Sequence, residues 1–362
     1  MKSDSLPNFS ISPTYTTNFG AAYCADALTL LKELPSDSIN LVITSPPFAL
    51  QRQKEYGNKI QSEYVDWLLT FTCEVKRVLK DTGSFVIDLG GAYIKNRPVR
   101  SLHNYRVLLR LCDEQGWNLA EEFFWYNPAK LPSPIEWVNK RKIRAKDAVN
   151  TVWWLSKTDF PKANISQVLV PYSDRMKKLL VDSEKYYSPK DRPSGHQISK
   201  SFSNNNGGAI PSNLLQISNT ESNSQYLRYC KIVGIQGHPA RFPEKLPQFF
   251  IEFLTEKNDL VLDIFAGSNT TGSVAEQLER KWLAFEQERK YLAASVFRFL
   301  SEKQEKTIKP IYEEISKKNI DQIQLRGISQ LQLLETKAKY KTRAKSPEEI
   351  ETRKGSKSLV VK

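Results

Sequence analysis

Residues 260–286 read LVLDIFAGSNTTGSVAEQLERKWLAFE. The largely apolar run over 260–264 reads as a strand. Asp263 stands near its carboxyl end, and Phe265-Ala266-Gly267-Ser268-Asn269 follows as a short loop. A helix is expected from Thr270 or Thr271, and the next strand, 282–286, closes on Glu286, 23 positions after Asp263. Strand, tight loop, helix and strand make the unit of an open α/β sheet, whose ligands lie beyond the carboxyl ends of the strands. Small residues in the loop let the backbone come close to such a ligand.

A dinucleotide would want G-x-G-x-x-G at this turn, with a helix N-terminus facing the pyrophosphate. Only Gly267 and Gly272 are present, and the Gly-Lys-Ser/Thr of a Walker loop is missing. A carboxylate on the first strand disfavours phosphate and suits a cationic ligand. S-adenosylmethionine is such a ligand: adenosine, a sulfonium and an amino acid, with no phosphate. Glu286 has the spacing of a carboxylate that accepts from two ribose hydroxyls. The plainer alternative is a helix-packing turn beside an ordinary strand-end acid.

Upstream, NLVITSPPFAL occupies 40–50. Leu41-Val42-Ile43 reads as a buried strand, and Pro46-Pro47 must end it, since neither can donate a ladder hydrogen bond. Before it, Ala27, Leu30, Leu31 and Leu34 recur at helical spacing and Pro35 stops the helix. After it, a long amphipathic helix is expected near 63–80, stopped by Asp81-Thr82-Gly83. A strand follows over SFVIDLGGAY (84–93), then a helix over 101–115, then two aromatic-rich strands, AEEFFWYNP and NTVWWLSKT. This alternation predicts an α/β fold with a doubly wound, mostly parallel sheet. Residues 1–20 are polar and read as a loose arm. Residues 160–236 turn rich in Pro, Ser, Asn and Gly and read as a separate loop-rich region. Beyond about residue 300 the pattern is helical, ending in a basic, low-complexity tail.

The 362-residue chain carries a formal charge of +13 and a pI near 9.4, which favours a polyanionic partner, nucleic acid first. Cys24, Cys73, Cys112 and Cys230 show no C-x-x-C spacing, and His103, His196 and His238 complete no ligand set, so no metal site is expected. The first ten residues have no apolar core and no run of about 18 apolar residues occurs, so neither a signal peptide nor a membrane span is expected. A reducing cytoplasm fits these features.

TSPPF (44–48), HPARFPEKLP (238–247) and DIFAGSNTTG (263–272) together resemble the S-adenosylmethionine-dependent DNA amino-methyltransferases of the N4-cytosine/N6-adenine family. The motif order resembles the permuted arrangement called the beta class, and the similarity spans roughly 20–300. The resemblance implies a Rossmann-like methyltransferase sheet. It divides the chain into an arm (1–20), a catalytic half (21–159), a target-recognition insertion (160–236), a cofactor half (237–302) and a helical basic extension (303–362). It implies that Ser45, Pro46, Pro47 and Phe48 are catalytic. It implies that Asp26, Asp263, Phe265, Ala266, Gly267, Ser268 and Glu286 hold S-adenosylmethionine. Asp26 would meet the adenine amino group; a helix-capping Asp ahead of Ala27 is the alternative. The family usually has Gly at the position of Asn269, a residue that tolerates left-handed backbone.

The exocyclic amine of cytosine or adenine is a poor nucleophile, because its lone pair is delocalised into the ring. Ser45 Oγ and the Pro46 carbonyl suit two acceptors that would draw the nitrogen toward a tetrahedral shape. Phe48 would stack on a base flipped out of double-stranded DNA. No cysteine follows a proline, which disfavours attack through carbon 5. Ser-Pro-Pro is the family's usual N4-cytosine form, N6-adenine being the alternative. Arg175, Lys177, Lys178, Lys190, Arg192, Lys200 and the stretch NKRKIRAK (139–146) are candidates for phosphate contacts; Gln197, Asn204, Asn205 and Asn206 are candidates for base edges. The resemblance also implies a place beside a restriction endonuclease. A non-catalytic DNA-binding protein on the same fold is the reading from another class.

Overall fold

The computed structural model describes residues 6–48, 61–182, 204–220, 224–300, 306–317 and 323–324. The two sequence motifs leave from neighbouring strands at the middle of one sheet. β3 (Ile39–Thr44) and β8 (Leu260–Asp263) lie side by side and parallel, Leu41 opposite Val261 and Val42 opposite Leu262. Their side chains alternate with the pleat: Leu41, Ile43 and Val261 enter one core, Val42, Leu260 and Leu262 the other. Both faces are covered, so the middle of each strand, Leu41–Ile43 and Leu260–Leu262, is apolar.

The other strands are β1 (Tyr15–Thr16), β2 (Gly20–Cys24), β4 (Leu79–Leu89), β5 (Asn118–Tyr126), β6 (Val149–Ser156), β7 (Leu214–Gln216), β9 (Lys281–Glu286) and β10 (Ile323–Gln324), in the sheet order β10-β1-β2-β9-β8-β3-β4-β6-β5-β7. β2, β9, β8, β3 and β4 run parallel. α1 (Ala27–Glu33), α2 (Gln61–Val78) and α3 (His103–Asp113) supply one layer. The opposite layer holds α5 (Gln225–Val233), α6 (Lys245–Leu254), α7 (Thr270–Gln277), α8 (Arg289–Ser295) and α9 (Ile308–Ser316), while α4 (Asp174–Val181) lies in the insertion. From β3 the chain passes through α2 to β4 on one side; from β8 it passes through α7 to β9 on the other. The loops after β3 and β8 therefore diverge and leave a crevice, the switch point at which open α/β sheets bind ligands.

The sheet is mostly parallel, as the alternation predicts, and three other expectations change. β6 runs antiparallel to both β4 and β5, because residues 127–148 hold only the helical turn Glu136–Lys140, too short for a crossover. β4 begins at Leu79, directly after α2, so Asp81-Thr82-Gly83 lies within the strand. The arm is docked rather than loose. The Phe9 ring packs 4.5 Å from Tyr23 and 5.6 Å from Phe285, Tyr15 is fully buried beside Trp282 and Phe299, and β1 pairs with β2. A few aromatic anchors in a polar stretch are enough to hold it. The insertion is not wholly separate: β7 extends the sheet beside β5, and Tyr226, Tyr229 and Cys230 of α5 are buried in the core of the following half. Lys190, Arg192, Gln197, Lys200 and the basic tail lie outside the described residues. No helix among the described residues is long and apolar enough to cross a membrane.

Candidate active site

The loop after β8 is braced from below. Asp263 accepts hydrogen bonds from Thr44 Oγ1 (2.7 Å), Thr271 Oγ1 (2.7 Å) and the Phe265 N–H (3.1 Å). Burial pushes its pKa up to about 6 against those bonds. With both oxygens engaged and the residue 2 % exposed, Asp263 locks the two motifs together rather than offering lone pairs outward. Phe265 packs its ring on Trp67 and Phe71 of α2, at 5.6 and 5.1 Å.

The next four residues are set one by one. The Ala266 N–H bonds the Phe285 carbonyl at 3.0 Å. Gly267 has φ +53°, and a Cβ there would lie 3.1–3.3 Å from the His238 imidazole. Glycine is thus favoured twice, by the left-handed backbone and by the closeness of the ring. Ser268 is clamped by Arg298, whose guanidinium donates to its carbonyl (2.9 Å) and hydroxyl (3.2 Å) while pairing with Glu244. Asn269 takes φ +53° and ψ 46° and caps α7 through Oδ1, which accepts from the Gly272 N–H at 3.0 Å. The departure to Asn therefore keeps the turn.

Glu286, at the end of β9, accepts from the N–H groups of Gly267 and Glu288, both at 2.8 Å. Burial raises its pKa to about 7, and the negative charge of Asp263 adds to the rise while the two N–H bonds oppose it. An ionised carboxylate has about four lone-pair sites, so two remain for hydroxyl donors. Asp26 is exposed and caps α1, accepting from the Thr29 N–H at 2.9 Å. It lies two residues beyond Cys24, the register partner of Glu286, and so borders the same edge.

The loop after β3 meets β4. Ser45 Oγ donates to Asp88 Oδ2 (3.2 Å), and Asn150 Nδ2 donates to Asp88 Oδ1 (3.0 Å). Burial raises the Asp88 pKa to about 6, opposed by these two bonds. Because the serine proton points inward, its remaining lone pairs are turned to accept from elsewhere. Pro46 is buried and Pro47 half-buried, which fixes the backbone between Ser45 and Phe48. The Phe48 ring lies against Gly90, where an added Cβ would stand 2.6 Å from Phe48 Cε2 and 3.2 Å from Asn150 Oδ1.

Asp88, Asn150, Gly90 and Arg298 were not singled out from the sequence. A signal for the first was present: SFVIDLGG, like LVLDIFAG, places an Asp near the carboxyl end of an apolar run, ahead of a small-residue turn. Arg298 stands as a lone charge in the apolar run SVFRFL. Among the basic candidates, Arg175, Lys177 and Lys178 are exposed on α4, with Lys177 3.2 Å from Asp174. Within 139–146, Lys140 and Arg141 pair with Glu136, Arg144 bonds the Pro98 carbonyl, and Lys146 bonds those of Pro128 and Lys130. Lys140, Arg141 and Lys146 brace their own loop, and Arg144 ties it to the turn at Pro98. Asn204, Asn205 and Asn206 are exposed, and the Asn205 side chain accepts from the Gly207 N–H at 3.0 Å.

The chain is 63 % identical over 316 residues to the Type II methyltransferase M.PvuII of Proteus hauseri, covering 87 % of this chain and 94 % of the relative. It is 25 % identical over 289 residues to the Type II methyltransferase M.BglII of Bacillus subtilis, covering 80 % and 71 %. The solved structure of the PvuII DNA methyltransferase (cytosine-N4-specific) superposes with a TM-score of 0.72 at 54 % identity, over 88 % of this chain and 99 % of that one. The DNA methylase family model N6_N4_Mtase matches residues 39–297, which carry every element of the crevice from β3 to β9, and the chain belongs to that family.

Proposed function

We propose that this protein moves the methyl group of S-adenosylmethionine onto the exocyclic N4 of a cytosine turned out of duplex DNA. The observation that carries this reading is the 2.7 Å hydrogen bond from Thr44 to Asp263, which joins the foot of the Ser-Pro-Pro-Phe loop to the foot of the small-residue loop. A donor held by one and a base held by the other would face each other across one crevice. The names of the similar proteins support the methyltransferase reading and, for the solved structure, cytosine N4 as the target.

The residues fit the group. The left-handed Gly267 removes the Cβ from the floor, and Glu286 keeps acceptor capacity for two ribose hydroxyls. Phe265 and the backbone of Ala266–Ser268 would line the remainder, and Asp26 borders the adenine end. Asp263 serves as a positioning residue, holding both loops in register. When bound, S-adenosylmethionine supplies an electrophilic methyl group on a sulfonium.

Ser45 Oγ and the Pro46 carbonyl accept the two amine protons and direct the nitrogen lone pair out of the ring plane. Phe48, backed by Gly90, stacks on the flipped base. One proton must leave the nitrogen once it is methylated. It passes to Ser45 Oγ as the serine proton passes to Asp88, whose raised pKa makes it a better acceptor than an ordinary carboxylate. The Type II names of the relatives support a modification role beside a restriction endonuclease.

The test separates the two loops. Ser45→Ala is expected to lower kcat on duplex DNA about a hundredfold or more, with the S-adenosylmethionine Kd within about twofold of the parent. Glu286→Gln is expected to raise that Kd about tenfold, the scale of a charge-assisted hydrogen bond. A Ser45→Ala protein that retains full turnover would refute the assignment.

A further inference from the structure

Asn269 is a left-handed, fully buried residue at the hinge between the small-residue loop and α7. Its Oδ1 is taken by the cap, which leaves the amide Nδ2 to be satisfied in the core. Nδ2 donates to the Tyr15 hydroxyl at 3.0 Å. The Tyr15 hydroxyl lies 2.6 Å from Ser295 Oγ, and Ser295 Oγ donates to the Leu292 carbonyl at 2.7 Å. A hydroxyl has one proton to give. Since that of Ser295 goes to Leu292, the Tyr15 proton must go to Ser295. The chain therefore runs one way, from Asn269 Nδ2–H through Tyr15 O–H and Ser295 O–H to the Leu292 carbonyl. Bonds aligned head to tail polarise and strengthen one another. Tyr15 and Ser295 are both fully buried, so water cannot replace a missing member.

We infer that Tyr15, on the N-terminal strand, is a positioning residue for the cofactor loop: its hydroxyl pins Asn269 and so fixes the backbone that Gly267 and Ser268 present. The inference rests on the reading of 265–269 as the S-adenosylmethionine cradle. Burial raises the Tyr15 pKa to about 12, so the phenol remains a neutral donor and acceptor across the working range. Its ring is held separately, by Trp282 at 6.3 Å and Phe299 at 5.9 Å, so loss of the hydroxyl alone leaves its apolar packing in place. Tyr15→Phe orphans a buried amide on a residue whose backbone conformation is already disfavoured for a non-glycine. Asn269→Gly removes the amide and adopts φ > 0 without cost, so the pin is no longer needed.

The test is a double-mutant cycle read by S-adenosylmethionine titration and by steady-state methylation of duplex DNA. Tyr15→Phe should raise the Kd and the KM for S-adenosylmethionine about tenfold, with less than about a twofold fall in kcat at saturation. In an Asn269→Gly background the same Tyr15→Phe change should move the Kd less than about twofold. Ser295→Ala, which leaves the phenol in place but removes its acceptor, should raise the Kd in the same direction by a smaller factor, and it stands in if Tyr15→Phe does not fold. An unchanged Kd in the Asn269 background, or an equal rise in both backgrounds, would overturn the inference. Failure of the parent protein, or full affinity in Glu286→Gln, would instead count against the cradle itself.

Discussion

At the scale of single residues, the proposed chemistry rests on carboxylates whose neighbours distinguish them. Asp263 and Asp88 both stand at or next to the carboxyl end of a strand, both are buried, and both have a pKa raised to about 6. Asp263 is enclosed by two threonine hydroxyls and an N–H; Asp88 faces Ser45. As a proton acceptor Asp88 must be ionised, so kcat should fall as pH drops through about 6. In Asp88→Asn that acid limb should vanish and kcat fall about a hundredfold or more, checked by pH–rate profiles of both proteins. Ser45 and Glu286 were legible because each sits in a motif. Asp88 was not, because its meaning comes from the register that sets Thr44 beside Ile87 and so brings Ser45, just past β3, to Asp88. Asn269 could be judged from its own chemistry, as a residue that accepts left-handed backbone and caps a helix.

At the scale of elements, the parallel strands were readable as apolar runs and the helices as 3.6-residue periodicity: α9 buries Ile308, Ile311 and Ile315 at that spacing. The antiparallel β5–β6 pair was hidden, since strand direction depends on what the intervening loop can span. The docked arm was hidden too, because Phe9 and Tyr15 find their pockets only in the assembled sheet. The turn after β4 has a function that sequence alone does not show. Gly90 makes room for the Phe48 ring and the Asn150 amide, so Gly90→Ala should disturb base stacking and the Asp88 bond together. The expected outcome is a fall of about tenfold or more in kcat/KM for DNA with S-adenosylmethionine affinity within about twofold, measured by kinetics and titration.

At the scale of the whole molecule, three raised carboxylates meet one crevice: Asp88 and Asp263 near 6 and Glu286 near 7. Each has a higher pKa folded than unfolded, where carboxylates titrate near 4. Their contribution to stability is therefore full below about pH 4 and is lost as pH rises through 6 to 7. Asp88→Asn should escape part of that loss, so its thermal midpoint, relative to the parent, should climb between about pH 4 and 7 and level off above. A constant difference across about that range would contradict the assignment. The +13 charge of the chain predicts that DNA affinity falls steeply with salt, log Kd against log salt having a slope of about 0.9 per phosphate neutralised. Composition alone suggested a boundary at 236. The core instead reaches back past it: Tyr226 and Tyr229 of α5, and before them Val168 and Leu215, are buried with Phe250 and Phe253 of α6.

The central claim is that one crevice brings a methyl donor to the exocyclic amine of an extruded cytosine. The direct measurement incubates the purified protein with duplex DNA and S-adenosylmethionine carrying an isotopically labelled methyl group, then digests the DNA and identifies the labelled nucleoside by mass spectrometry. Label is expected in N4-methyldeoxycytidine and is lost in Ser45→Ala. Label in N6-methyldeoxyadenosine or 5-methyldeoxycytidine, or no label in DNA from a protein that binds both partners, would contradict the claim.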